Sequence, residues 1–97
     1  MRVLVREPIA DAGLELLRSR FEVDVELEAP LEAIIAGYDA IVIRSATRLT
    51  RELIGQGTRL KVIGRAGVGV DNVDVDAATR RGIVVANAPE STVVSAA

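Results

Sequence analysis

The stretch GRAGVGVDNVD (64–74) places glycines at 64, 67 and 69, directly after the apolar run LKVI and before a helix-like segment. Glycines between a strand and a helix let bare backbone N–H groups converge on an anion. A carboxylate or phosphate oxygen could rest on the amides of Gly67, Val68 and Gly69. Val68 adds little bulk and no charge. The same glycines could instead form only a tight turn in which they relieve backbone strain. Spacing alone leaves both readings open.

A dinucleotide loop is a further possibility, and its rules can be checked. That fingerprint reads G-x-G-x-x-G, follows the first strand, and has an acidic residue about 20 positions on. Here the spacing is G-x-x-G-x-G. Counted from Gly67, the third glycine falls on Asn72. The place of the acidic residue holds Asn87, Ala88 and Pro89. The loop also follows the fourth strand-like run. No cofactor is expected to bind this chain.

Three arginines favour an anion. Arg6, Arg44 and Arg65 each end a strand-like run, and a guanidinium grips oxygen pairs. Ser45 and Thr47 could add hydroxyl donors. The competing reading pairs these arginines with Glu7, Asp71 or Glu90, so that they only stabilise the edge. Either way, the polarity excludes an aspartyl-phosphate receiver. That chemistry needs carboxylates after the first and third strands and a lysine after the fifth, where this chain has Arg6-Glu7, Arg44 and Asn87-Ala88.

Composition removes other chemistries. There is no histidine and no cysteine, so His-based acid–base catalysis, His metal sites, thiolates and disulfides are all excluded. Lys61 is the sole lysine and is placed at the start of a buried strand. A net charge of −2 argues against nonspecific binding to nucleic acid or anionic membrane. No apolar run approaches the roughly 18 residues of a membrane span, and no signal-peptide pattern opens the chain. A cytoplasmic protein is the default expectation.

Five strand-like runs must position these residues: 2–6, 21–26, 39–45, 60–66 and 82–89. Between them lie helix-like stretches. One starts at Pro8, one covers 30–38, one covers 49–57 with Thr50 as N-cap, and one is capped by Asp71 or Asn72 and closed by Gly82. Strict alternation with short links calls for a parallel sheet with right-handed crossovers. The second run alternates apolar and charged residues, as an edge strand does. The expected architecture is therefore a flavodoxin-like, doubly wound α/β domain in the order 2-1-3-4-5. It spans 1–97 without an internal boundary. The helix that would cover the fifth strand is missing or incomplete, although ESTVVSAA (90–97) could begin one.

IVIRSATRLT (41–50), LKVIGRAGVGVDNVDVDAATRRGIVVANAPES (60–91) and SAA (95–97) resemble the D-isomer-specific 2-hydroxyacid dehydrogenases. Within that family they are similar to the branch that oxidises 3-phosphoglycerate in serine biosynthesis. The resemblance implies the first part of a substrate-binding domain, taking a small phosphorylated 2-hydroxy acid. The amides of Gly67, Val68 and Gly69 would hold the substrate carboxylate. Arg44 and Ser45, with Arg65 close by, would face its phosphate. Asn72 would help fix the loop, whereas Arg6 rests on position alone. NAD, its nucleotide-binding domain and the catalytic Arg, Glu and His would belong to chain beyond these residues, so the piece itself would lack catalytic competence. The tail STVVSAA departs from the family pattern. Surface left bare by a missing helix could support a homodimer. Two alternatives stand beside this reading: an isolated or engineered flavodoxin-like scaffold without a ligand, and a stand-alone module for a small phosphorylated acid.

Overall fold

The computed structural model describes residues 1–67 and 71–88, the side chain of Ala88 excepted. Its strands are β1 (Arg2–Val5), β2 (Glu22–Val25), β3 (Ala40–Ile43), β4 (Val62–Ala66) and β5 (Val84–Ala88). They form one parallel sheet in the order β2-β1-β3-β4-β5. Four helices connect them: α1 (Asp11–Arg20), α2 (Leu31–Ile34, continued as a 3-10 turn over Ile35–Gly37), α3 (Arg51–Gln56) and α4 (Val75–Arg80). The α/β class and strand order are those the alternation of apolar runs calls for. The stretch ESTVVSAA, read as the start of a further helix, lies outside the described residues.

The registers sort side chains onto two faces. Leu4, Ile41, Ile63 and Val85 form one cross-strand row, and Ile43, Arg65 and Asn87 continue that face toward the carboxyl edge. This face carries the main core. Leu4, Ile41, Ile43 and Ile63 are fully buried against Leu31, Ile35, Leu49, Ile54 and Ala78. With almost no aromatics, branched aliphatic side chains fill it. On the other face Val3 and Val5 are buried, while Val42 and Val62 are half-buried and Ala86 is exposed.

Helix boundaries follow local hydrogen bonds. Thr50 caps α3 as its sequence predicts, its hydroxyl oxygen accepting from the Leu53 N–H at 3.2 Å. Helix α1 starts at Asp11, not beside Pro8, and Ala10 at its N-cap offers no side-chain oxygen. Asp74, not Asp71 or Asn72, caps α4, accepting from the Ala77 N–H at 3.0 Å. The reason is a short parallel bridge between Leu49 and Val73. The Leu49 N–H donates to Asn72 O at 2.9 Å and the Asp74 N–H to Leu49 O at 3.0 Å, so Val73 is held in the bridge and the helix starts only after Asp74. Gly82 ends the α4 turn with φ +73°. Lys61 precedes β4 and is exposed, so it does not start a buried strand.

Candidate functional site

The carboxyl end of β3 leads into a loop over residues 44–50, and past β4 the described residues 71–74 form a second one. Backbone pairing at Leu49 and Val73 joins them at their far ends. Asn72 joins them near the sheet. Its Nδ2 donates to Arg44 O at 2.7 Å and to Thr47 O at 2.6 Å. Its Oδ1 accepts from Arg65 Nε at 2.8 Å. Only one amide orientation satisfies two carbonyls on one side and a guanidinium N–H on the other. One side chain thus links both loops to the end of β4.

Arg44 and Ser45 leave β3 and are exposed. Arg44 Nη1 reaches back to Pro8 O at 3.2 Å. Arg65 differs from Arg44, being only 9% exposed. Its row partners in the sheet are Ile43 and Asn87, and its guanidinium lies beside Gly67. A Cβ built on Gly67 would come within 2.6 Å of Arg65 Nη1. The glycine is thus what lets the guanidinium pass under the start of the loop. Gly67 therefore stands with Arg44, Ser45, Arg65 and Asn72 at one edge of the sheet. Val68 and Gly69 lie outside the described residues.

Arg6 turns the other way. Its Nη1 donates to the carbonyls of Glu26 and Ala29, fastening the link between β2 and α2. Arg6 thus has a scaffold role on backbone carbonyls, which differs from the carboxylate pairing weighed from sequence. Glu7, weighed from sequence as an arginine partner, instead binds backbone amides. Its carboxylate accepts backbone N–H bonds from Arg44 at 2.6 Å, Ala46 at 3.1 Å and Thr47 at 3.0 Å. Burial pushes the Glu7 carboxyl up, but the Thr47 hydroxyl and these three amides outweigh it and hold the group below its ordinary value. An acidic residue directly after the first strand is the only sequence signal for this role.

A groove of about 510 Å³ opens alongside, walled by Arg48–Glu52 and Asp71–Asp74, with Asn72 contributing to it. Among the described residues no three His, Cys, Asp or Glu side chains gather as a metal site, and no helix is long and apolar enough to cross a membrane. β4, which ends at the glycine stretch, is an interior strand, and Asn87 stands near the end of β5.

The chain is an open parallel α/β sheet with tied loops at its carboxyl edge, the edge at which such sheets bind ligands. Residues 3–97 match the family described as D-isomer specific 2-hydroxyacid dehydrogenase, catalytic domain, and the chain belongs to that family. It is 50% identical to a D-3-phosphoglycerate dehydrogenase from Synechocystis sp., over 99% of this chain and 18% of the relative. It is 48% identical to the D-3-phosphoglycerate dehydrogenase of Archaeoglobus fulgidus, over 100% of this chain and 19% of the relative. The chain therefore spans about a fifth of the length of these curated relatives. Among solved structures, a protein from Pyrococcus horikoshii OT3 superposes with a TM-score of 0.85 at 33% identity, over 90% of this chain and 27% of the other. An NAD+-bound 3-phosphoglycerate dehydrogenase from Entamoeba histolytica superposes with a TM-score of 0.74 at 28% identity, over 90% of this chain and 32% of the other.

Proposed function

We propose that this chain is the substrate-binding part of an NAD-dependent dehydrogenase that oxidises 3-phosphoglycerate in serine biosynthesis. The observation that carries the proposal is the Asn72 bridge, which ties the backbone of Arg44 and Thr47 to the Arg65 guanidinium at one edge. The relatives named above support the choice of substrate. The substrate carboxylate would lie on the amides of Gly67, Val68 and Gly69, and its phosphate toward Arg44 and Ser45, with Arg65 beneath. NAD, held by other parts of the enzyme, would supply the hydride acceptor. The residues described here contribute orientation and charge matching. With no histidine in 97 residues, the chain by itself is proposed to be catalytically incompetent.

Titration of the isotopically labelled chain with 3-phosphoglycerate tests this. Amide shifts at Gly67–Gly69 together with Arg44 are the expected result. Silence at millimolar ligand would refute retained binding and favour a scaffold without a ligand. One observation favours that second reading: Arg6 and Arg65 both have internal partners. NADH should not bind tightly in either case.

A further inference from the structure

The loop from Arg44 to Thr47 turns its N–H groups inward, and they meet a carboxylate from elsewhere in the chain. Glu7 Oε2 accepts from Arg44 N and Thr47 N, and Glu7 Oε1 from Ala46 N. The partners are 37 to 40 residues apart in sequence, and Glu7 is only 9% exposed. Convergent backbone amides are what anion-binding loops offer to a phosphate or carboxylate ligand. Here the anion is part of the protein. The loop's carbonyls are held from the opposite side, since Asn72 Nδ2 donates to Arg44 O and Thr47 O. The peptide that carries Arg44 and Ser45 is thus gripped by a carboxylate on its N–H side and by an amide on its C=O side. Both residues remain exposed.

We propose that Glu7 is a positioning residue, an internal carboxylate that fills an anion nest and thereby sets the backbone from which Arg44 and Ser45 face the ligand. The link to a ligand rests on the function proposed above; the filled nest does not. The nest also limits the site. The amides of residues 44, 46 and 47 are occupied by Glu7, so this loop can offer an incoming anion only the side chains of Arg44 and Ser45. An emptied nest should accept a small carboxylate from solution, whereas a residue that only packs would leave no such specificity.

Glu7→Ala and Glu7→Gln test this in the 97-residue chain. Urea unfolding is followed with sodium formate and with sodium chloride at equal ionic strength. Formate at about ten times its Kd should raise the folded-to-unfolded ratio of Glu7→Ala about tenfold over chloride. Glu7→Gln, whose amide still occupies the space, should show no formate preference. Equal effects of the two salts on Glu7→Ala would overturn the nest. If Glu7→Ala folds only with formate, the nest is supported. If it stays unfolded in both salts, hydrogen exchange in Glu7→Gln decides. Exchange at Arg44, Ala46 and Thr47 should then quicken at least about tenfold, and unchanged protection would overturn the proposal. A second arm measures 3-phosphoglycerate. Glu7→Gln should bind it about tenfold more weakly than wild type, a loss of about 1.4 kcal/mol. Equal affinity would remove the positioning role. No binding by wild type would sink the proposed function while leaving the formate result to stand or fall by itself.

Discussion

Replacing Asn72 with alanine removes three hydrogen bonds at once. Two are to the carbonyls of Arg44 and Thr47, at 2.7 and 2.6 Å, and one is from Arg65 Nε at 2.8 Å. A neutral hydrogen bond contributes about 1 kcal/mol net, and one to a charged group about 1.5–3 kcal/mol. Their simple sum is about 3.5–5 kcal/mol, and water reaching the half-buried position reduces it to about 2–4 kcal/mol. For a domain of this size each kcal/mol shifts Tm by about 4–8 °C, so a fall of at least about 8 °C is expected. Urea unfolding followed by circular dichroism gives the free energy directly. The urea slope should stay at the wild-type value, because the surface exposed on unfolding is unchanged. A double-mutant cycle with Arg65→Met isolates the Asn72–Arg65 contribution, expected at about 1–2 kcal/mol. A loss in Asn72→Ala below about 0.5 kcal/mol, the level of an ordinary surface change, would refute the claim that this side chain ties the loops together.

Other perturbations follow from the same structure. Gly55 lies inside α3 with open space beside it, and Gly82 has φ +73°. Alanine at 55 should stabilise by about 0.5–1 kcal/mol, and alanine at 82 should destabilise by about 1 kcal/mol; the urea midpoints must move in opposite directions. Gly67→Ala places a methyl group 2.6 Å from Arg65 Nη1 at a φ of +159°, a backbone conformation that side-chain-bearing residues rarely adopt. Its stability cost should therefore be about 1–3 kcal/mol, while 3-phosphoglycerate affinity, followed by calorimetric titration, falls several-fold. The pH dependence has a definite sign. Glu7, Asp24, Glu26 and Asp39 all have carboxyls held below their ordinary values. Such groups contribute fully above the unfolded-state value, and the contribution disappears as pH falls through the lower folded-state values. Stability should thus drop below about pH 4. A histidine-like step between pH 5 and 8 in the urea midpoint would contradict the composition.

The strand order could be read from sequence because it depends on patterns local to each run. Continuous apolar β3 and alternating β2 report two covered faces and one wet edge. The Thr50 cap was legible for the same reason, since donor and acceptor lie three residues apart. The joining of the loops was not. Asn72 looked like a helix cap, but the bridge between Leu49 and Val73 delays the helix, and Asp74 takes that role. The Asn72 acceptors lie 28 and 25 residues away. Glu7 looked like an arginine's partner. A buried carboxylate needs several donors, and three loop amides supply them from about forty positions along the chain. What sequence conveyed about Asn72 came from family resemblance, and the bonds behind it came from the structure.

The face of the sheet opposite the main core carries its own row, with Ala40, Val62 and Val84 aligned across three strands. Val84 is 61% exposed and Ala86 beyond it is also exposed. Apolar surface that is already wet adds nothing to the heat-capacity change when the chain unfolds. A domain near 100 residues usually shows about 1.2–1.5 kcal/mol/K. The isolated chain should fall below that range in calorimetry, with a flatter dependence of stability on temperature. If a second copy covers that face, the heat-capacity change must instead climb with protein concentration.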